Sequence, residues 1–247
     1  MIMHLYPEDL IGLKTMINDH RRFDELLSST RTGAEMTGSS DNFFIKPGYV
    51  YRETPAYFID DTGDKTNQPE VYPFAAGIAV TQGISTIFDI GCGRGLKLAN
   101  LYQQSDRWRI TGIDYGPNIQ WCRQHYSFGE WIEGDLEKIR SIPDGPAILI
   151  CADVIEHLIN PVSLLHVIRQ AAIAGNVAVF STPERDLTHG LEHMGPPVNI
   201  CHTREWNMNE FCKLLEWAGF KLVHIGLTLS DDRGYGNKTI LAVVRAQ

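Results

Sequence analysis

The chain has no run of about 18 apolar residues, so a membrane-spanning helix is not expected. It is short of positive charge. The 22 Lys and Arg stand against 30 Asp and Glu, giving a formal net charge of −8. That balance argues against sequence-independent binding to nucleic acid or to an anionic membrane surface. Cysteine is sparse and unpatterned: Cys92, Cys122, Cys151, Cys201 and Cys212 form an odd set with no C-x-x-C pair. A disulfide framework and a cysteine-based metal site are therefore not expected, and free thiols in a reducing compartment are. The first residues lack the basic-then-apolar order of a signal peptide, so the expected location is cytoplasmic. Internal repeats and low-complexity tracts are also missing.

With 247 residues, 43% of them hydrophobic, the chain can bury one large core with an appendage. Apolar residues at helical spacing (Leu10, Leu13, Met16, Ile17) predict a helix over 7–28. Residues 29–70 are rich in Ser, Thr, Gly, Asp and Asn, but carry Phe43-Phe44-Ile45 and Tyr49-Val50-Tyr51. Aromatics in an irregular stretch suit a packed lid better than a disordered tail. The division expected is thus a lid segment, 1–70, and a catalytic domain, 71–247.

From residue 71 the pattern becomes α/β. A helix is expected over 72–82. Strand-like runs follow at 86–90, 109–113, 130–133, 147–152, 176–181, 221–227 and 239–245. Helical stretches between the first five imply a parallel sheet, and the last two form an antiparallel hairpin that closes it. Asn207 and Glu210 are spaced as a capping box, with Trp206 and Phe211 at the staple positions and Gly219 where the C-terminal cap belongs.

The most informative stretch is Thr86 to Gly95. An apolar strand reaches Asp89 and then opens into Gly91, Gly93 and Gly95, with Cys92 between the first two. Glycines there let the backbone approach a ligand where a Cβ would collide. A dinucleotide fingerprint, G-x-G-x-x-G, would need glycine at 96, and the chain has Leu96, which argues against a nicotinamide oxidoreductase. An acid-x-G-x-G-x-G turn resembles the first motif of the class I methyltransferases that use S-adenosylmethionine. The stretch Asp153-Val154-Ile155-Glu156-His157-Leu158 resembles the D-V-I/L-E-H-L stretch of their small-molecule branch.

That resemblance implies a Rossmann-like, doubly wound, seven-stranded sheet and S-adenosylmethionine as cofactor. It also assigns roles at the strand ends. Amides around Gly91 to Gly95 meet the methionyl part, and Asp89 orients the turn or binds the ammonium through water. Asp114 lies 23 residues past Gly91 and accepts from the ribose hydroxyls, with Tyr115 beside the adenine. Asp135 accepts from the adenine amino group and the Leu136 amide meets a ring nitrogen. Cys151 and Ala152 flank the methionine moiety. The Asn/Asp-Pro-Pro-aromatic motif of nucleic-acid N-methyltransferases is missing from the fourth strand end.

Transfer to a hydroxyl needs a base, and histidine is the usual one. His157 follows the fourth strand. His193 and His202 lie in a long insert, 182–203, after the fifth. These three are the candidate bases. A zinc site from His189, His193 and His202 is conceivable by residue type, but the Gly- and Pro-rich insert argues against it, and no metal is assigned. Lys46, Tyr49, Tyr51, Arg52, Glu53 and Tyr57 of the lid suit a flat polar or sugar-like acceptor, or else glue the segment to the domain. The expected activity is O-methylation of a small hydroxylated metabolite or sugar-linked intermediate. Methylation at nitrogen or carbon, and a non-catalytic cofactor-binding protein, remain alternatives. Whether the chain forms a homodimer is left open.

Overall fold

A computed structural model describes residues 39–60, 67–142, 145–231 and 236–247. The helix expected over 7–28 lies outside them. The elements alternate from the first long helix onward: α1 (Val71–Thr81), β1 (Thr86–Ile90), α2 (Leu96–Gln104), β2 (Arg109–Asp114), α3 (Gly116–His125) and β3 (Glu130–Glu133). The second half holds β4 (Ile148–Ala152), a 3-10 turn at Ile155–His157, α4 (Pro161–Ile173), β5 (Val177–Pro183), α5 (Arg185–His189), α6 (Met208–Trp217), β6 (Phe220–Leu229) and β7 (Asn237–Ala246).

The strands form one sheet in the order β3-β2-β1-β4-β5-β7-β6. The first five pair in parallel, while β7 runs antiparallel to both β5 and β6. Strand residues feed two cores alternately, as the period of two requires. Phe88, Leu149 and Phe180 face α4 and α6, while Ile87, Ile148 and Val179 face α1, α2 and α3. Because parallel strands are covered on both faces, β4 is buried at all five positions.

One expectation fails. No helix joins β3 to β4 among the described residues. The sequence there contains Pro143-Asp144-Gly145-Pro146, and prolines without a helical amide, beside a glycine, cannot propagate a turn.

The expected capping box is present at α6. Asn207 Oδ1 accepts from the Glu210 amide at 2.9 Å, and Glu210 Oε2 accepts from the Asn207 amide at 3.0 Å. Glu210 does more than cap. Its oxygens take the Arg185 guanidinium at 2.6 and 3.1 Å, and Oε1 also accepts from the Lys46 amide at 2.9 Å. Arg185 is fully buried and spends a third nitrogen on Asp186 at 2.8 Å. One carboxylate thus joins α5, α6 and the lid segment.

Removing one partner of a buried pair leaves the other charge unpaired. Glu210→Ala is expected to lower unfolding stability by about 3–5 kcal/mol in urea titrations. The double replacement Arg185→Leu/Glu210→Leu should cost much less than Glu210→Ala alone.

Candidate functional site

Ligands of doubly wound sheets bind outside the carboxyl ends of the strands, where the strand order reverses. Here that point lies between β1 and β4. The chain leaves β1 through a turn in which Gly91, Gly93 and Gly95 hold φ of +79°, +54° and +64°. A Cβ on Gly95 would stand 2.6 Å from the Trp131 ring, so a side chain there is excluded by space as well as by backbone. Cys92 is buried within the turn, and Cys151 and Ala152 are buried at the end of β4.

Beneath the turn, Asp89 is 1% exposed. Its Oδ2 accepts from the Tyr72 hydroxyl at 3.0 Å, while Oδ1 has no hydrogen-bond partner. Burial pushes its carboxyl up to about 7, and the Tyr72 hydrogen bond and Lys97 charge offset only part of that.

At the end of β2, Asp114 is largely committed to the protein. Its oxygens accept from the Gly93 amide at 2.8 Å, the Tyr115 amide at 2.6 Å and Asn118 Nδ2 at 2.9 Å. A carboxylate has roughly four lone-pair sites, so one is left for a ligand hydroxyl. Asp135 is more exposed. It pairs with Lys138 at 2.8 Å and accepts from the Glu137 amide at 3.0 Å, and Leu136 packs against the core.

A strap from the lid runs across this end of the sheet. Val50, Arg52 and Ala56 donate their amides to the carbonyls of Met194, Thr203 and Ile200. The strap then passes over the glycine turn and the end of β2. The Tyr57 ring meets that of Tyr115 at 4.3 Å, and Phe58 stands 5.7 Å from His157. Asp60 Oδ2 accepts from the Arg94 amide at 3.0 Å, at the mouth of the glycine turn. Tyr49 and Tyr51 do serve as glue, with Tyr51 against the buried Arg204. Arg52 donates from its guanidinium to the Pro197 carbonyl at 2.5 Å.

Beyond β4 lies a histidine–carboxylate cluster. The 3-10 turn after β4 and the end of the insert bring His157 and His202 together, with ring centroids 4.7 Å apart. His157 Nδ1 reaches the Cys201 carbonyl at 3.0 Å. His202 Nδ1 reaches Glu205 Oε1 at 2.6 Å, and Asn199 Nδ2 meets His202 Nε2 at 2.9 Å. The Cys201 carbonyl can only accept, so His157 carries its proton on Nδ1 and its lone pair on Nε2, whereas Nε2 of His202 faces the Asn199 amide. Burial, with His202 alongside, pushes His157 down to about 3, so it stays neutral.

Glu205 Oε2 lies 2.9 Å from His189 Nε2, but without the alignment of a hydrogen bond. His193 sits apart, 4.7 Å from His189 and 6.4 Å from Tyr49, and its Nε2 is buried without a partner. His189, His193 and His202 do not converge as a metal trio. Among the described residues the groups that do are Glu156, His157 and His202. Glu156, Glu205 and Asp60 were given no role by sequence reasoning. Glu156 could have been flagged by its place between Asp153 and His157, whereas Asp60 carried no local signal.

The family described as "Methyltransferase domain" matches residues 52–225. A probable S-adenosylmethionine-dependent methyltransferase of Mycolicibacterium smegmatis is 31% identical over 168 residues, 64% of this chain and 63% of its own length. A ubiquinone biosynthesis O-methyltransferase of Aeromonas salmonicida is 24% identical over 148 residues, 54% of this chain and 61% of its own. The chain thus spans about three fifths of the length of these relatives. Among solved structures, the neocarzinostatin-biosynthesis O-methyltransferase NcsB1, in complex with S-adenosylmethionine and a naphthoic acid, superposes with a TM-score of 0.54. That match has 13% identity and covers 76% of this chain and 60% of the other. At that identity the likeness shows the fold.

The raised Asp89 carboxyl has a consequence for stability. Its folded pKa, about 7, lies above the ordinary 3.8, so the folded state holds the proton more tightly. Stability from this group is full below about pH 4 and falls as pH rises to about 7. Asp89→Asn should remove that slope and raise stability of the ligand-free protein at pH 8 by on the order of 1–3 kcal/mol. Urea titrations at pH 5 and pH 8 measure it. Equal slopes in both proteins would refute the assignment.

Proposed function

Because this chain belongs to the methyltransferase-domain family, we propose that it transfers a methyl group from S-adenosylmethionine to a hydroxyl oxygen of a small-molecule acceptor. The observation that carries this reading is one juxtaposition. A glycine turn built for close ligand approach leaves β1, and two oriented imidazoles, His157 and His202, meet beyond the end of the adjacent strand β4.

The residues present fit the cofactor. The unpartnered Asp89 Oδ1 suits the ammonium of its methionyl part, directly or through water. The left-handed backbone of the three glycines keeps the turn tight at the strand end. The remaining lone pair of Asp114 suits a ribose hydroxyl. Tyr57 and Tyr115 offer a ring face for the adenine, with Asp135 and Leu136 at its edge. Cys151 and Ala152 line the floor. The cofactor supplies an activated methyl on a sulfonium sulfur.

The chain's own task is then positioning and proton removal. Alignment of acceptor and methyl can supply effective molarities of about 10⁵ M or more. With the cofactor bound, the acceptor O–H would lose its proton as its oxygen took the methyl, and the electron pair of the C–S bond would stay on sulfur. Nε2 of neutral His157 is the atom placed to receive that hydrogen bond, and Nε2 of His202 can do so where the acceptor displaces the Asn199 amide, with Glu205 orienting the ring. His193, next to His189, is placed less directly. Phe58, over His157, gives the acceptor a flat apolar wall. Such a wall beside polar groups supports an aromatic or sugar-linked alcohol as substrate class.

Calorimetry with S-adenosylhomocysteine, beside NAD, tests the cofactor half. Binding of the former alone is expected, and Asp114→Ala should weaken it by about 1.5–3 kcal/mol. For the acceptor half, His157→Asn and His202→Asn should each lower turnover of labelled methyl about 10²–10⁴-fold, with S-adenosylhomocysteine affinity nearly unchanged. Turnover kept by both variants and by His193→Asn would favour a nitrogen or carbon acceptor.

A further inference from the structure

Glu156 is the least explained side chain in the acceptor half. It is a carboxylate with no solvent exposure. Thr182 Oγ1 donates to Oε2 at 3.0 Å, yet Oε1 is buried and has no partner. Leaving such an atom without a partner is costly. Burial pushes its carboxyl well above the usual range, and the neighbouring Asp153 and Glu205 carboxylates push it the same way.

Two imidazoles stand beside it. One ligand-capable atom from each of Glu156, His157 and His202 lies within 4.8 Å of the others. Each ring already donates its Nδ1 hydrogen to a fixed acceptor, the Cys201 carbonyl for His157 and the Glu205 carboxylate for His202. That second layer is the arrangement that orients metal-binding histidines and raises their basicity. It leaves Nε2 on each ring to ligate. On His202 a cation would take the place of the Asn199 amide donor.

We propose that Glu156, His157 and His202 bind a single divalent cation of the first transition row at the acceptor side of the site. Two imidazoles and one carboxylate suit Mn²⁺, Fe²⁺, Co²⁺ or Zn²⁺ better than Mg²⁺ or Ca²⁺, which prefer an all-oxygen shell. Three protein ligands leave positions open for oxygens of the acceptor, which deepens the reading of the preceding subsection and, for that role, rests on it. A hydroxyl bound there is acidified, its proton passing to solvent before the oxygen attacks the methyl. Under this assignment the two histidines act together on a cation, where the metal-free reading has one of them act alone on a proton. The trio differs from the His189, His193 and His202 set that residue type suggests, because the fold brings the β4 turn, and not α5, against His202.

The test needs neither cofactor nor acceptor. Protein freed of metal with a chelator is titrated with Mn²⁺, Co²⁺ and Zn²⁺ by calorimetry, and the visible spectrum of the Co²⁺ form is recorded. Saturable binding of one ion per chain is expected, with cobalt bands of nitrogen and oxygen ligation. Glu156→Gln, His157→Asn and His202→Asn should each weaken binding at least about tenfold. His166→Asn, on the exposed face of α4, should not. If Glu156→Gln fails to fold, His202→Asn carries the comparison. No saturable binding to the wild type, or equal affinity in the three variants, overturns the proposal. Failure of the methyl-transfer reading would instead appear as loss of S-adenosylhomocysteine binding with the metal titration intact.

Discussion

The site depends on one buried ion pair that takes no part in its chemistry. Glu210 holds Arg185 through two hydrogen bonds, caps α6 and receives the amide of Lys46. Arg185 opens the insert that ends in His202 and Glu205, and its Nη1 also reaches the Glu205 carbonyl at 3.3 Å. Lys46 opens the strap that carries Tyr57, Phe58 and Asp60. Segments distant in sequence are thus referenced to one carboxylate. Such a pair contributes little net stability because desolvation opposes it, but its geometry admits few alternatives. Arg204 plays a parallel part nearby, donating to the Leu158 and Ile159 carbonyls at 2.8 and 2.7 Å while covered by Phe43 and Tyr51.

The two halves of the site share a physical style. Each holds a buried carboxylate oxygen without a partner near the end of a central parallel strand, Asp89 Oδ1 within β1 and Glu156 Oε1 in the 3-10 turn that follows β4. Close packing makes this tolerable. Asp89 is fixed by a strand paired on both sides, and Glu156 by its complete burial and its bond from Thr182. The free energy withheld from folding at these atoms is available to a ligand that completes them.

Much of this was legible in the sequence, and the parts that were not share a cause. The strands, the glycine turn, Asp114 and the capping box are local patterns, set by periodicity, backbone freedom and residue spacing. They appear where expected, with the β6–β7 hairpin closing the sheet. The helix expected between β3 and β4 was a regularity extended past two prolines. The cluster at the acceptor side was only half legible. His157 and His202 were candidates by type, but their meeting with Glu156 and Glu205 depends on a contact between segments more than 40 residues apart (Thr203 Oγ1 to the His157 carbonyl, 3.2 Å). No spacing rule encodes that. Asp60 was invisible for the same reason, since it meets the Arg94 amide across 34 residues.

The strap has one more property, which concerns communication. Its Asp60 carboxylate occupies the Arg94 amide, and its Phe58 ring lies on His157, with one residue between them. An anionic group arriving at that amide competes with Asp60 for a single donor. Release of Asp60 loosens the stretch that holds Phe58 in the other half. The strap thus offers a short stretch of backbone through which the two halves can be coupled. Any such coupling is reciprocal: an occupant of one half would change the affinity of the other by the factor by which it is itself changed, whichever arrives first.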